Sequence, residues 1–278
     1  MAVKTILSIC SPDVSERDIK AVADLCADAD AHLSLLMVAI SEPPPTGEYA
    51  AELALEWQEL RSKDLLDLSA KAEHAKQVLG QSGISFDVQT AYEERSLLDD
   101  AVGLRARYCD LVLLSRNALA VEDAVVPLVD GSLFQSARPV LVVPVGCVPT
   151  LKPKTILIAW DSRLEAARAV YCAQQFLSTA DDVRIVIVDP VASDARNGAE
   201  PGADIATYLA RHGVNVTVEQ LPSGGRPVAD VLKQHATDMA ADLIVMGAYG
   251  HSRLRERIFG GMTRAFIEGA DLPVLMVH

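Results

Sequence analysis

The chain lacks the features that mark several large functional classes. No stretch approaches the roughly 18–20 uncharged apolar residues of a membrane span. Its opening, Met1-Ala-Val-Lys-Thr-Ile-Leu7, enters strand-like sequence directly, without the basic, apolar and small-residue layout of a secretory signal. Its five cysteines, Cys10, Cys26, Cys109, Cys147 and Cys172, form no CxxC pair and no short-spaced framework. Odd in number and set among apolar neighbours, they predict buried thiols in a reducing cytoplasm and speak against zinc. The six histidines show no metal-ligand spacing. There is no GxxxxGK(S/T) loop of a Walker-type ATPase and no GxSxG elbow of a hydrolase. Positive charge is scarce as well. A formal net charge of −13 argues against nucleic acid or an anionic membrane as partner.

What is present is ample core material, 50% apolar residues in 278, enough for one large domain or two ordinary ones. Three blocks recur in order. Lys4-Thr-Ile-Leu7 returns as Lys154-Thr-Ile-Leu157, Asp110-Leu-Val-Leu-Leu114 as Asp242-Leu-Ile-Val-Met246, and Pro139-Val-Leu-Val-Val143 as Pro273-Val-Leu-Met-Val277. Such repetition decides the architecture before other arguments do. It predicts domains at 1–146 and 154–278, joined by a Pro/Gly-punctuated linker at about 145–153.

Within each copy, β-branched runs alternate with helical periodicity, the mark of βαβ units and a parallel sheet. The first copy predicts strands near 3–10, 32–40, 84–91, 110–115 and 139–143, with a long helix from Tyr49 to Gly80. The second predicts strands near 154–160, 183–189, 214–221, 242–247 and 273–277, and helices near 162–178, 202–213, 227–240 and 262–270. The unbroken apolar runs Ile185–Val188 and Leu243–Met246 suit strands covered on both faces. The two terminal apolar strands would be exposed edges in a lone domain, which predicts that they pair with each other.

One run carries chemistry. Gly247-Ala-Tyr-Gly250 follows an apolar strand, and after nine residues comes Gly260-Gly-Met-Thr263 at the start of a helical pattern. Glycines there let the backbone take positive φ and approach a ligand. Amides at a helix start are unpaired and lie at the positive end of its dipole, which suits phosphate. Arg253, Arg255 and Arg257 between the glycines add positive charge. A turn and a helix boundary, with arginines on a solvated face, would read the same way. What separates the two readings is a family likeness: the run resembles the G-x2-G-x9-G-(S/T) signature of the universal stress protein family. It departs at Gly261, where that family usually has Ser or Thr; the backbone N–H is kept, the hydroxyl is lost, and Thr263 is the candidate substitute.

The strand count and order resemble a tandem universal stress protein along nearly the whole chain. That resemblance implies two Rossmann-like (adenine nucleotide alpha hydrolase-like) α/β domains, each a five-stranded, mainly parallel sheet flanked by helices, related by a pseudo-twofold axis. Open parallel sheets bind ligands at the carboxyl ends of their strands. The resemblance makes Asp161, after the first strand of the second copy, a ribose or divalent-metal partner, with Mg the candidate ion. The same Asp is also a good helix N-cap, and the two roles are compatible. Val188 or Asp189 would border the adenine; Met246, Gly247, Gly250, Gly260, Gly261, Met262 and Thr263 would surround the phosphates. His251, beside Gly250, is within reach of a phosphate, although a surface histidine is the commoner case.

The first copy departs from this pattern. Its fourth strand exits into Ser115-Arg-Asn-Ala-Leu119, Asp13 is displaced from the end of its first strand, and Val126 and Pro127 stand where Gly260 and Gly261 would. Proline offers no N–H. Ser223-Gly-Gly-Arg226 resembles the start of the SGGxDS loop of ATP pyrophosphatases. It follows the third strand instead of the first, and Arg226-Pro227 replaces the continuation, so it reads as a turn into the next helix. Charge agrees with a single site: residues 1–150 carry 12 Lys+Arg against 23 Asp+Glu, net −11, and 151–278 carry 13 against 15, net −2. The expectation is a cytoplasmic stress-response protein that binds ATP, AMP or ADP in its second domain. It would not be an efficient enzyme, would form an intramolecular pseudo-dimer, with a homodimer of the whole chain left open by the sequence, and would engage neither nucleic acid nor membrane. The rival reading is a nucleotide-free scaffold acting through dimer-like surfaces.

Overall fold

A computed structural model describes residues 3–121, 123–144, 146–191, 200–249 and 261–278. They fall into two compact units, Val3–Arg138 and a second beginning at Pro139 and running to His278. Both are α/β.

In the first unit β1 (Thr5–Cys10) leads to α1 (Glu16–Ala29), β2 (His32–Ser41), the long α2 (Ala50–Leu79), β3 (Phe86–Glu94) and α3 (Leu98–Ala106). β4 (Leu111–Ser115), α4 (Arg116–Leu119) and α5 (Val125–Leu133) complete it. The strands lie in the order β3-β2-β1-β4, all parallel. Helix α1 starts where Ser15 accepts the Asp18 N–H at 3.2 Å, the side-chain cap that Ser provides for an orphan amide. It stops at Asp30, whose φ of 50° is left-handed. Ile19, Val22, Ala23 and Cys26, at helical spacing, are its buried face. Helix α2 buries only its second half, through Leu68, Ala72, Ala75, Val78 and Leu79.

The second unit contains β5 (Val140–Val143), β6 (Thr155–Ala159), α6 (Leu164–Leu177), β7 (Asp182–Val188) and α7 (Ala203–Arg211). After these come β8 (Val216–Leu221), α8 (Val228–Asp238), β9 (Leu243–Gly247), α9 (Gly261–Gly269) and β10 (Val274–Val277). The order is β5-β10-β9-β6-β7-β8. Every pair is parallel except β5 with β10, which are antiparallel with Val142 opposite Val274, Leu141 opposite Leu275 and Val140 opposite Met276. The expected pairing of the two terminal strands is therefore present, and β5 clusters with the residues that follow it.

The sequence repeat is also an atomic repeat. In the first unit the Asp110 carboxylate accepts the Lys4 and Thr5 amides at 2.8 and 3.0 Å. In the second, Asp242 accepts the Lys154 and Thr155 amides at 2.8 and 3.0 Å. Each carboxylate satisfies two backbone donors at the entry of a first strand and fixes the fourth strand beside it. Among the described residues no helix is long and apolar enough to cross a membrane.

Candidate functional site

At the carboxyl ends of β6, β7 and β9 the second unit has a cleft of about 110 Å³. Its strand side is Ala159, Trp160 and Asp161 after β6, Val186 and Val188 on β7, and Met246 and Gly247 on β9. Helices close it with Glu165 and Ala166 of α6, Val228 and Leu232 of α8, and Met262 of α9. The cleft lies where the chain order reverses across the sheet, β7 being reached on one side of β6 and β9 on the other. Its walls are apolar, with two carboxylates at the rim.

Gly247 forms its floor for a steric reason. A Cβ there would sit 2.6 Å from the Ala166 backbone nitrogen and 2.8 Å from the Glu165 Cβ. Only glycine lets α6 come this close to β9, and the small residues Ala166, Ala169 and Ala173 line the buried face of that helix. The residue chosen from sequence for ligand approach thus also sets helix packing.

Val188 presents backbone to the cleft. The Trp160 N–H donates to the Val186 carbonyl at 3.0 Å, whereas Val183 and Asp189 donate to Asn215 and Leu221 on the β8 side. Parity turns Val188 N–H and C=O toward β6, whose last pair is Ala159 opposite Val186. A donor and an acceptor therefore border the cleft past the end of the ladder. Asp189 goes the other way. It takes a φ of 49°, and its carboxylate accepts the Ser223 N–H at 2.9 Å. Hydrogen bonds from the Ser223 hydroxyl and amide hold that carboxyl below its usual range. Of the two residues expected to border a base, the cleft contains Val188, and Asp189 is instead a tie to the loop before α8.

Asp161 is at the rim, its side chain 56% exposed. Its Oδ1 accepts the Arg163 N–H at 3.1 Å, and its Oδ2 lies 3.5 Å from Arg163 Nε. It therefore forms a turn two residues before the Arg163 cap position and, contrary to the capping expectation, does not cap α6, whose N-cap makes no side-chain capping hydrogen bond. An exposed carboxylate can still meet a cation. Mg²⁺ is commonly held by one or two carboxylates together with substrate phosphates, so Asp161 fits that ion only in the company of a nucleotide. Among the described residues no group of three or more His, Cys, Asp or Glu side chains gathers at one point.

On α9, Gly261 is exposed with open space where a Cβ would be, and Met262 lines the cleft. Thr263 is 2% exposed, and its hydroxyl accepts the Tyr249 N–H at 3.3 Å. It staples the exit of β9 to α9 and, among the described residues, does not line the cleft. Gly250, His251 and Gly260, with Arg253, Arg255 and Arg257, lie outside the described residues. The Ser223–Arg226 run is the turn expected of it: Gly224 and Gly225 have φ of 60° and 80°, and the Gly225 N–H donates to the Ser223 hydroxyl.

Sequence reasoning missed Trp160, Glu165, Ala166, Val228 and Leu232. Their signal was helical and strand register, which assigns a face but not which faces converge. Of the five thiols expected to be buried, Cys10, Cys26 and Cys109 are, whereas Cys147 and Cys172 are partly exposed. Burial pushes Cys10 and Cys26 up to about 12 and Cys109 up to about 11, so all three are protonated and unreactive.

Comparison with known proteins follows the same division. Residues 152–278 match the model of the Universal stress protein family. A universal stress protein of Synechocystis sp. is 26% identical over 231 residues, an alignment covering 77% of each chain. The structure of a universal stress protein from Archaeoglobus fulgidus DSM 4304 superposes with a TM-score of 0.65 at 16% identity, covering 98% of this chain and 95% of that one. A functionally unknown protein from Pseudomonas aeruginosa PAO1 gives 0.56 at 16% identity, with 99% and 92% covered. The latter two likenesses concern the fold alone.

Proposed function

We infer that the second unit binds ATP or another adenine nucleotide in the cleft at the ends of β6, β7 and β9. The role is regulatory or protective under stress, with occupancy of the cleft as the signal. The observation that carries this reading is the coincidence of three features at one sheet edge: an apolar cleft, open backbone at Val188, and the start of the glycine run at Gly247. A flat base with adjacent donor and acceptor atoms suits the Val188 edge between apolar walls. The cleft is too small for a whole nucleotide, since drug-sized sites are about 300–1,000 Å³. The ribose and phosphates would extend toward Asp161 and the start of α9, where backbone amides would meet the charge. Mg²⁺, if carried, would be shared between Asp161 and the phosphates and would neutralise them.

No general base or positioned nucleophile accompanies the cleft among the described residues, so efficient hydrolysis is not part of this reading. The test is mass spectrometry of small molecules released from the purified, denatured protein. Recovery of an adenine nucleotide supports the proposal. Absence of any nucleotide, together with no uptake of added ATP, would favour a scaffold acting through its surfaces.

A further inference from the structure

Helix α2 is longer than its place in the fold requires. It runs 30 residues, whereas α7, the helix between the equivalent strands β7 and β8, has 9. Its buried residues, Leu68, Ala72, Ala75, Val78 and Leu79, all lie in its second half. The first half is held from one side. The Trp57 indole N–H donates to the Glu42 carbonyl at 3.1 Å, and the Tyr92 hydroxyl donates to the Asp64 carboxylate at 2.9 Å. The Arg61 guanidinium lies over both rings, 5.5 Å from the centre of Trp57 and 5.0 Å from that of Tyr92. Trp57, Arg61 and Asp64 continue the stripe of Leu68, Ala72 and Ala75 at helical spacing, so these contacts fix the rotation of the helix.

The opposite side is open. Leu55 and Leu66 are 71% and 73% exposed, about three turns apart on the face turned away from Trp57. With Glu59 and Ser62 between them they recur at steps of four, three and four residues, the spacing of a coiled-coil seam. Together with Gln58 and Lys63 they line an open groove. Single exposed leucines are ordinary, but a seam on a helix half that the fold does not need calls for a partner. We propose that α2 pairs antiparallel with α2 of a second copy of this chain, about a twofold axis between Glu59 and Ser62.

The charges select both the occupant and the direction. In a parallel pair each residue would meet itself, setting Glu52, Glu56 and Glu59 against their own copies. In the antiparallel pair Leu55 lies opposite Leu66 of the second copy and Glu59 opposite Ser62. Lys63 then stands one residue out of register with the second copy's Glu59, close enough for the two to pair. Each of these contacts is made twice, because one surface supplies both leucines and both charges. The two helix dipoles also run in opposite directions, which favours the pair.

The test is sedimentation velocity of the full chain over a concentration series. The parent should show a reversible monomer–dimer equilibrium. Leu55→Glu combined with Leu66→Glu should raise the dimer dissociation constant at least about tenfold. Glu59→Lys alone and Lys63→Glu alone should each weaken the dimer, and the two together should restore it, since the swap pairs opposite charges again across the twofold. Circular dichroism checks that each variant is folded. Should the leucine variant not fold, Ser62→Glu, also exposed, sets like charges against each other at the axis and should have the same effect. A parent that stays monomeric up to its solubility limit would overturn the proposal. So would a dimer unmoved by the leucine and Ser62 variants, or a double charge swap no tighter than the single reversals.

Discussion

At the scale of single residues, the glycine run was legible because glycine is the residue that backbone approach demands, but the sequence hid its second purpose. Gly247 is fixed by helix α6, whose backbone occupies the space of a Cβ. Gly247→Ala should therefore destabilise the chain by about 1–3 kcal/mol, the usual cost of overpacking, measurable in denaturant unfolding. It should also weaken nucleotide uptake, since α6 must move at the cleft floor. An alanine variant with unaltered stability would mean that α6 is not held where the structure has it. Asp189 and Thr263 make structural ties that the sequence does not announce, for one reason. Their partners, the Ser223 and Tyr249 amides, come from loops whose course depends on φ values of 49° at Asp189 and 58° at Tyr249, which no periodicity announces. Thiol chemistry offers a further check. In the native chain a thiol reagent should label Cys147 and Cys172, both partly exposed, while Cys10, Cys26 and Cys109 react only after unfolding.

At the scale of elements, strands were read to within a few residues because buried parallel strands are unbroken apolar runs, such as Leu111–Leu114 and Leu243–Met246. The short α4 and α5 had no comparable signal; Pro127 and Gly131 sit inside α5, against propensity, and its burial carries it. The edge of β10 gives a prediction. A segment beginning at Pro139 retains β5, whereas one beginning at residue 151 leaves β10 unpaired along that side. The longer segment should be monodisperse by light scattering and the shorter one should self-associate, because an open apolar edge recruits another strand. Equal behaviour would show that β5 contributes nothing to the second unit.

The contact between β2 and β3 predicts a pH dependence. Burial pushes the Asp87 carboxyl up, but hydrogen bonds from His32, Gln89 and Ser34 outweigh it and hold the carboxyl below its usual range. A carboxyl with a folded pKa below its unfolded one stabilises above the unfolded value and loses that contribution as pH falls through the folded one. Thermal unfolding should therefore soften below about pH 4, the ordinary carboxylate range, and Asp87→Asn should be less acid-sensitive there than the parent. Identical acid profiles would remove Asp87 from the account.

At the scale of the molecule, internal repetition was the most readable property, since three blocks in the same order also place the same carboxylate on the same two amides in each unit. What repetition could not reveal is divergence between equivalent positions: a glycine run begins at the end of β9, whereas Ser115 ends β4 and Pro127 stands in the following helix α5. The charge difference between the halves, −11 against −2, favours the second for an anionic ligand. The central claim is that this half, and only this half, takes a nucleotide. Calorimetric titration of the full chain with ATP tests it most directly, with Gly260→Val as the control. The account predicts close to one nucleotide per chain for the parent and none for the variant, whose unfolding stays cooperative. A stoichiometry near two, or a folded Gly260→Val that binds as the parent does, would contradict it.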